Sequence, residues 1–359
     1  MTSSHNTGEV WILGAAGRIG RAVAGLLAQQ KVPLVLVGRN EDELNKVGSA
    51  IDGDFRIAAA DSIDGIADEI RRQRPAVVVN TMGNYAATAV PIARAIMPVG
   101  HYVDMAADLA AVSGLLALDE EAAKAGSALV TGAGFGVLAT ESVVAMLCRG
   151  QSTPEFVRVD AVASVATEAG LMGAAFAATS VDVLTTGGRR YDAGRLVDAR
   201  LGGDLQKLTL PDGQTVKTAG VPTLELYAAK IASGAPAVVA TSALAPTAPV
   251  LRALLPTLKA MLSIPALRRL ALRRLARTPI KAAPRPREHS WGHALVRWPD
   301  GTSRDGWLRA DDGMDFTAAV AAEVTRRLLQ GEARPGAFTP AAGFGPELAV
   351  ACGGTFLVD

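Results

Sequence analysis

Val10-Trp11-Ile12-Leu13-Gly14-Ala15-Ala16-Gly17-Arg18-Ile19-Gly20 reads as a buried strand, a glycine turn and the opening turn of a helix. Four apolar residues rich in β-branched side chains precede the first glycine, and an amphipathic pattern runs on through Gln29. Glycine permits the tight turn and lets backbone N–H groups approach an anion closely. The positive end of the following helix dipole favours that anion. In this strand–turn–helix setting the Gly-x-x-Gly-x-x-Gly spacing predicts a cradle for the pyrophosphate of a dinucleotide. Its candidate contacts are Gly14, Ala16, Gly17, Arg18, Ile19 and Gly20.

Outward from the turn the same alternation repeats. Strands are predicted at Leu34–Val37, Phe55–Ala59, Val77–Asn80, Tyr102–Met105 and Ala128–Thr131, with helical segments between them such as Glu41–Val47 and Leu115–Lys124. Nearly continuous apolar strands separated by helices indicate an α/β fold, a Rossmann-type doubly wound parallel sheet. Ligands in such sheets bind beyond the carboxyl ends of the strands. The second strand ends in Gly38, Arg39 and Asn40, with arginine where an NAD site usually carries a carboxylate. A guanidinium pairs with the 2′-phosphate of NADP, so NADP(H) is the expected cofactor. Asn40 is equally suited to cap the next helix, with Glu43 three residues on. Asp61 and Ser62 after the third strand suit an adenine contact or a helix cap, and Asn80, Thr81, Met82 and Gly83 should line the crevice at the end of the fourth.

After Gly136 the pattern changes to strands joined by tight turns, Pro211-Asp212-Gly213 and Pro299-Asp300-Gly301. This is a second, mixed α+β lobe. The division expected is a disordered tail over 1–8, the NADP-binding Rossmann domain over 9–136, the second lobe over 137–335, and a C-terminal segment, 336–359, packing back on the core. Lysine plus arginine (36) balances aspartate plus glutamate (35), so there is no global field to recruit nucleic acid. Cys148 and Cys352 lack the spacing of a disulfide framework or zinc site. The polar N-terminus lacks the apolar run of a secretory signal, and prolines break the one long apolar window, Ala235–Ile264. A reduced, cytoplasmic setting without a transmembrane segment is expected.

Four stretches together resemble the saccharopine dehydrogenase-like oxidoreductases, a family that includes trans-acting enoyl reductases. They are the glycine turn, Gly38-Arg39, Val78-Val79-Asn80-Thr81-Met82-Gly83-Asn84-Tyr85, and Gly100-His101-Tyr102-Val103-Asp104. Looser similarity continues at Gly132-Ala133-Gly134-Phe135, Asp315-Phe316-Thr317-Ala318 and Gly336-Ala337-Phe338-Thr339-Pro340-Ala341. Two departures concern the substrate pocket: Gly83-Asn84 stands where relatives commonly have Gly-Pro, and Met105-Ala106-Ala107 where they often have Gly-Glu. The resemblance implies NADP-dependent reduction of a C=N or C=C bond, or the reverse oxidation, in a small metabolite or carrier-bound intermediate. It also implies a substrate and dimerisation role for the second lobe, hence a homodimer.

Hydride chemistry requires a proton donor or acceptor beside the cofactor. Tyr102 and Asp104 share one face of the fifth strand and Tyr85 follows the fourth, so these three are the catalytic candidates. Each also has a structural reading, as core aromatic or helix cap. No Tyr-x-x-x-Lys pair of the short-chain dehydrogenase type occurs at the expected place. His289, Trp291 and His293 alternate along a predicted strand, but two histidines without a third ligand do not make a metal site. Arg252–Arg287 is basic, with Leu267, Leu270, Leu272 and Leu275 at helical spacing. It reads as a solvated helix face, an anionic-membrane contact or the site of an acidic partner such as a carrier protein. The alternatives to the leading reading are a carbonyl reductase and a non-catalytic NADP-binding regulatory protein.

Overall fold

A computed structural model describes residues 8–97 and 99–358. The tail expected over 1–8 therefore lies, except for Gly8, outside the described residues. In chain order the elements are β1 (Val10–Leu13), α1 (Arg18–Gln29), β2 (Leu34–Gly38), α2 (Glu41–Ser49), β3 (Phe55–Ala59), α3 (Ile63–Gln73), β4 (Val77–Asn80), α4 (Tyr85–Ile96) and β5 (His101–Asp104). Then come α5 (Leu109–Leu116), α6 (Asp119–Ala125), β6 (Ala128–Val130), α7 (Phe135–Cys148), β7 (Phe156–Val162), β8 (Gly170–Leu171), α8 (Ala174–Thr186), β9 (Gly188–Asp192) and β10 (Arg195–Ala199). The chain continues with β11 (Gln206–Thr209), β12 (Thr215–Gly220), α9 (Leu224–Ser233), β13 (Ala237–Ser242), α10 (Pro249–Leu262), α11 (Pro265–Ala276) and β14 (Pro279–Ile280). It ends with β15 (Ser290–Arg297), β16 (Ser303–Ala310), α12 (Gly313–Leu329), β17 (Gly336–Phe338), α13 (Pro340–Phe344), α14 (Leu348–Ala351) and β18 (Thr355–Val358).

The first compact unit holds the residues up to Ala106, Ala110–Gly134 and Met314–Leu348. Its seven strands are ordered β17-β6-β5-β4-β1-β2-β3, all parallel. The order reverses between β1 and β4, the switch point at which ligands bind in doubly wound sheets. The four residues of β1 and of β4 are all buried, as expected for strands covered on both faces. Helix α1 turns Val23, Ala24, Leu27 and Ala28 inward. Two expectations are corrected. The helix expected over Leu115–Lys124 is two helices, α5 and α6, separated at Ala117 and Leu118. Residues 314–335, expected in the second lobe, belong to the first unit, because α12 leads directly into β17, which adds a seventh strand beside β6. Helical periodicity marked α12 as amphipathic without naming the surface it packs on.

The second unit comprises Ala107–Leu109, Phe135–Gly313 and the chain from Ala349 onward. Its mixed sheet runs β10-β9-β13-β7-β15-β16-β18, with the β11–β12 hairpin joined through β12 to β13. Helices α7 and α9 cover one face. Helix α7 is apolar around most of its circumference and buries ten residues, as a fully enclosed helix must. Glycine at 292 lets it lie against β15, since a Cβ there would fall 2.6 Å from that of Ala139. Among the described residues no single helix is long and apolar enough to cross a membrane.

Candidate functional site

The turn after β1 has the geometry of an anion cradle. Gly14 has φ +80°, which a side chain would strain. The amides of Gly14 and Ala15 donate to the carbonyl of Val37 (2.9 and 3.1 Å), tying the turn to β2, and the Gly17 amide donates to the Gly14 carbonyl at 2.9 Å. Gly20 lies so close beneath the turn that a Cβ would sit 2.5 Å from the Gly14 oxygen and 2.7 Å from the Ala15 Cα. Arg21 Nη1 donates to the Ala16 carbonyl at 2.8 Å and braces the loop from its outer side. The first intrahelical bond runs from the Arg21 amide to the Gly17 carbonyl. The first-turn amides thus have no intrahelical acceptor and offer their positive end to a phosphate. Only glycines at 14 and 20 allow this, so the residues present fit a dinucleotide pyrophosphate.

At the end of β2, Gly38 is half-buried while Arg39 and Asn40 are exposed. Asn40 accepts a bond from the Glu43 amide at 3.2 Å and is the α2 cap, leaving Arg39 as the exposed cation at the strand end next to β1. Ser62 likewise caps α3, accepting from the Gly65 amide at 3.2 Å. Asp61 and Ser62 edge a cavity of about 450 Å³ that Val37 and Ile66 also line. At the end of β4 the Thr81 hydroxyl donates to the Leu13 carbonyl at 2.8 Å and locks that edge onto the glycine turn. Asn80 is fully buried; its Nδ2 donates to Thr88 Oγ1 (3.1 Å) and to the Tyr102 hydroxyl (3.0 Å), and its Oδ1 accepts from the Met82 amide (3.1 Å). Asn80 and Thr81 therefore shape the edge by internal bonds. Gly83 and Asn84 follow with φ of +70° and +48°, turning the chain sharply into α4.

The catalytic candidates of the first unit are placed differently from expectation. Tyr102 is wholly buried in the core with Trp11, Val78 and Ile92, and does not line a crevice. Burial, with the Asp104 charge nearby, pushes its phenol well above the usual range. Asp104 is also fully buried; its Oδ1 accepts from the Ala106 amide (3.0 Å), the Thr131 hydroxyl (2.8 Å) and the Gly132 amide (3.2 Å). It stitches the end of β5 to the turn after β6, and burial raises its carboxyl. The correction has one physical reason: alternation assigns a residue to a face, but both faces of a parallel sheet are interior. Tyr85 opens α4 and is only partly buried against the same core. Tyr102→Phe is expected to leave turnover unchanged and to lower stability by about 1 kcal/mol, the worth of one hydrogen bond, as measured by thermal unfolding beside steady-state rates.

A second constellation lies within the other unit. His293 on β15 is opposite Asp160 on β7 and Trp307 on β16. Its Nδ1 is 2.9 Å from Asp160 Oδ2, its ring stacks on Trp307 at 4.1 Å, and Trp291 meets Trp307 edge-on at 6.1 Å. Asp160 is fully buried and also accepts from Arg158 Nη2 (2.9 Å), from the Thr218 hydroxyl (2.6 Å) and from the Thr241 hydroxyl. Burial alone would raise this carboxyl; the bonds and charges of His293 and Arg158 outweigh it and hold Asp160 below the usual carboxylate range. An ionised Asp160 accepts from the imidazole Nδ1–H, and Nε2 lies 3.8 Å from the exposed Asp305. Sequence alternation placed His289 and His293 on one face but gave no sign of Asp160. Among the described residues no group of three or more His, Cys, Asp or Glu side chains could hold a metal ion.

Residues 10–130 match the family described as the saccharopine dehydrogenase NADP binding domain. Among solved structures, saccharopine dehydrogenase (L-Glu forming) from Saccharomyces cerevisiae aligns over 98% of this chain and 99% of its own, with a TM-score of 0.64 and 12% identity. This likeness is one of fold. An NADPH-dependent reductase involved in bacilysin biosynthesis aligns over 36% of this chain and 76% of its own, at 18% identity and a TM-score of 0.31. A metagenomic short-chain oxidoreductase in complex with NADP aligns over 34% and 80%, at 21% identity and a TM-score of 0.30. No curated protein matches the chain.

Proposed function

We propose that the protein, whose residues 10–130 match the saccharopine dehydrogenase NADP binding domain, is an NADP-dependent oxidoreductase that reduces a C=N or C=C bond, or catalyses the reverse oxidation, in a small metabolite or carrier-bound intermediate. The observation that carries the cofactor part of this reading is the glycine turn, where a Cβ at Gly20 would press on the Gly14 oxygen and the Ala15 Cα. The first-turn amides of α1 would hold the pyrophosphate and Arg39 the 2′-phosphate. Bound NADPH supplies the hydride. Within the second unit Asp160 orients His293, and Trp307 and Trp291 border it with aromatic rings. Tyr102 and Asp104 hold the strand ends in place.

Titration of the purified protein with NADPH and NADH, followed by cofactor fluorescence, tests the premise. Wild type is expected to bind NADPH selectively, and Arg39→Ala to weaken NADPH by about tenfold to hundredfold while leaving NADH unchanged, the loss of charge-assisted bonds to one phosphate. An unchanged preference in Arg39→Ala would remove the 2′-phosphate assignment. Binding of neither cofactor would overturn the proposal, and binding without oxidation by any imine or enoyl compound would favour a regulatory protein.

A further inference from the structure

Between Glu225 and Glu288 the chain has no acidic residue, while Pro249–Arg287 carries ten basic ones. The structure gathers most of these on two consecutive helices of the second unit, α10 and α11, which meet at a bend of 115°. Leu255 and Leu262 turn the inner side of α10 into the unit. On its outer side Val250, Leu254 and Met261 are 74%, 55% and 49% exposed. These positions fall within about 40° of one another around a helix of 3.6 residues per turn, so they form one apolar stripe. Leu251 borders it and Ile264 extends it into the bend, both exposed. Helix α11 buries no residue, and its exposed Leu270 sits among Arg269, Arg273, Arg274 and Arg277. Arg268 pairs with Asp182 of α8, against which α10 and α11 pack. Among the described residues the other four arginine side chains have no ion pair.

We infer that α10 and α11 form a peripheral docking surface for a bilayer carrying anionic phospholipid. The stripe of Val250, Leu254 and Met261 enters the headgroup boundary, and the arginines of α11 meet the lipid phosphates. An exposed apolar stripe beside unpaired cations is the composition of an interfacial helix. The 115° bend between two helices of 14 and 12 residues keeps the pair in the surface plane, since neither spans a hydrocarbon core. Charge selects this occupant over a second copy of the chain: two such faces would bring arginines together with no carboxylate between Pro249 and Arg287 to offset them. An acidic protein would satisfy the arginines but leave the α10 stripe facing a polar partner.

Flotation of the full chain with vesicles tests this. The protein is expected to float with phosphatidylglycerol mixed into phosphatidylcholine and to stay behind with phosphatidylcholine alone. Binding should fall as salt shortens the screening length from about 10 Å at 0.1 M to about 3 Å at 1 M. Arg273→Gln with Arg274→Gln should weaken partitioning by about 25-fold, roughly fivefold per arginine. Leu254→Gln with Met261→Gln, both on solvent-facing positions, should weaken it by about tenfold or more. Both double variants should keep the circular dichroism and the thermal unfolding midpoint of wild type, showing an intact fold. Failure to float, equal binding to uncharged vesicles, or unchanged flotation of either double variant would overturn the inference. A dimer that the apolar double variant converts to monomer, with no effect on flotation, would likewise overturn it and assign the stripe to a second copy.

Discussion

Asp160→Ala lowers the unfolding free energy by about 3–5 kcal/mol in the expected outcome, because breaking a buried ion pair leaves its partner uncompensated. The side chain is wholly buried and receives bonds from Arg158, Thr218, Thr241 and His293, drawn from β7, β12, β13 and β15. Its removal leaves Arg158, a residue 7% exposed, without its buried counter-charge. The effect also has a pH signature. The folded carboxyl lies below its ordinary value, so its contribution is complete above the unfolded pKa of about 3.9 and fades as pH falls through the lower, folded value. Urea unfolding of wild type and Asp160→Ala across this acid range should show the two stabilities converging. A difference that stays constant down to the lowest pH would show that packing, and not the ionised carboxylate, carries the loss. Asp160→Asn keeps the volume while removing the charge. It should lose much of the same stability, because the buried Arg158 guanidinium is again left without its counter-charge.

Gly20→Val should weaken NADPH by about tenfold to hundredfold, the 1–3 kcal/mol that overpacking a close contact costs. The new Cβ would overlap the Gly14 carbonyl and the Ala15 backbone, so the glycine turn has to lift away from α1. The amides would then no longer converge on one point. Gly25 on the same helix is the matched control: a Cβ there meets nothing within 4 Å, and Gly25→Ala should bind NADPH as wild type does while gaining about 1 kcal/mol of helix stability. Equal affinity in Gly20→Val and wild type, read by fluorescence titration, would mean that the turn does not hold the cofactor.

The first unit was the more legible part of the sequence, for reasons visible residue by residue. Val10–Leu13, Phe55–Ala59 and Val77–Asn80 are strands with the bounds expected, because apolar runs between turn signals leave a buried parallel strand few other options. Gly14 and Gly20 were legible because each is required by a local condition, a positive φ or a close approach. Asn40 and Ser62 were ambiguous between cap and cofactor, and the structure shows both as caps. Tyr102 reads as facing the crevice but is buried in the structure, because alternation carries no information about depth. Asp160 went unseen because its tie to His293 spans 133 residues and arises only when β7 and β15 pair. Long-range pairing also explains the misplaced span: nothing in Phe316–Leu329 says which sheet will receive the strand that follows.

That strand, β17, gives the chain an assembly order. The parallel sheet begins with Val10 and gains its edge at Gly336–Phe338, after most of the second unit has been synthesised. On the ribosome, β6 therefore emerges with one side unpaired and keeps it so for roughly two hundred further residues, the interval between 130 and 336. An unpaired strand edge is a template for the wrong neighbour. Early closure of α12 and β17 onto the waiting sheet thus becomes a question of yield in the cell, and a chain cut short before Gly336 would lose solubility through a domain that its own first 130 residues had seemed to complete.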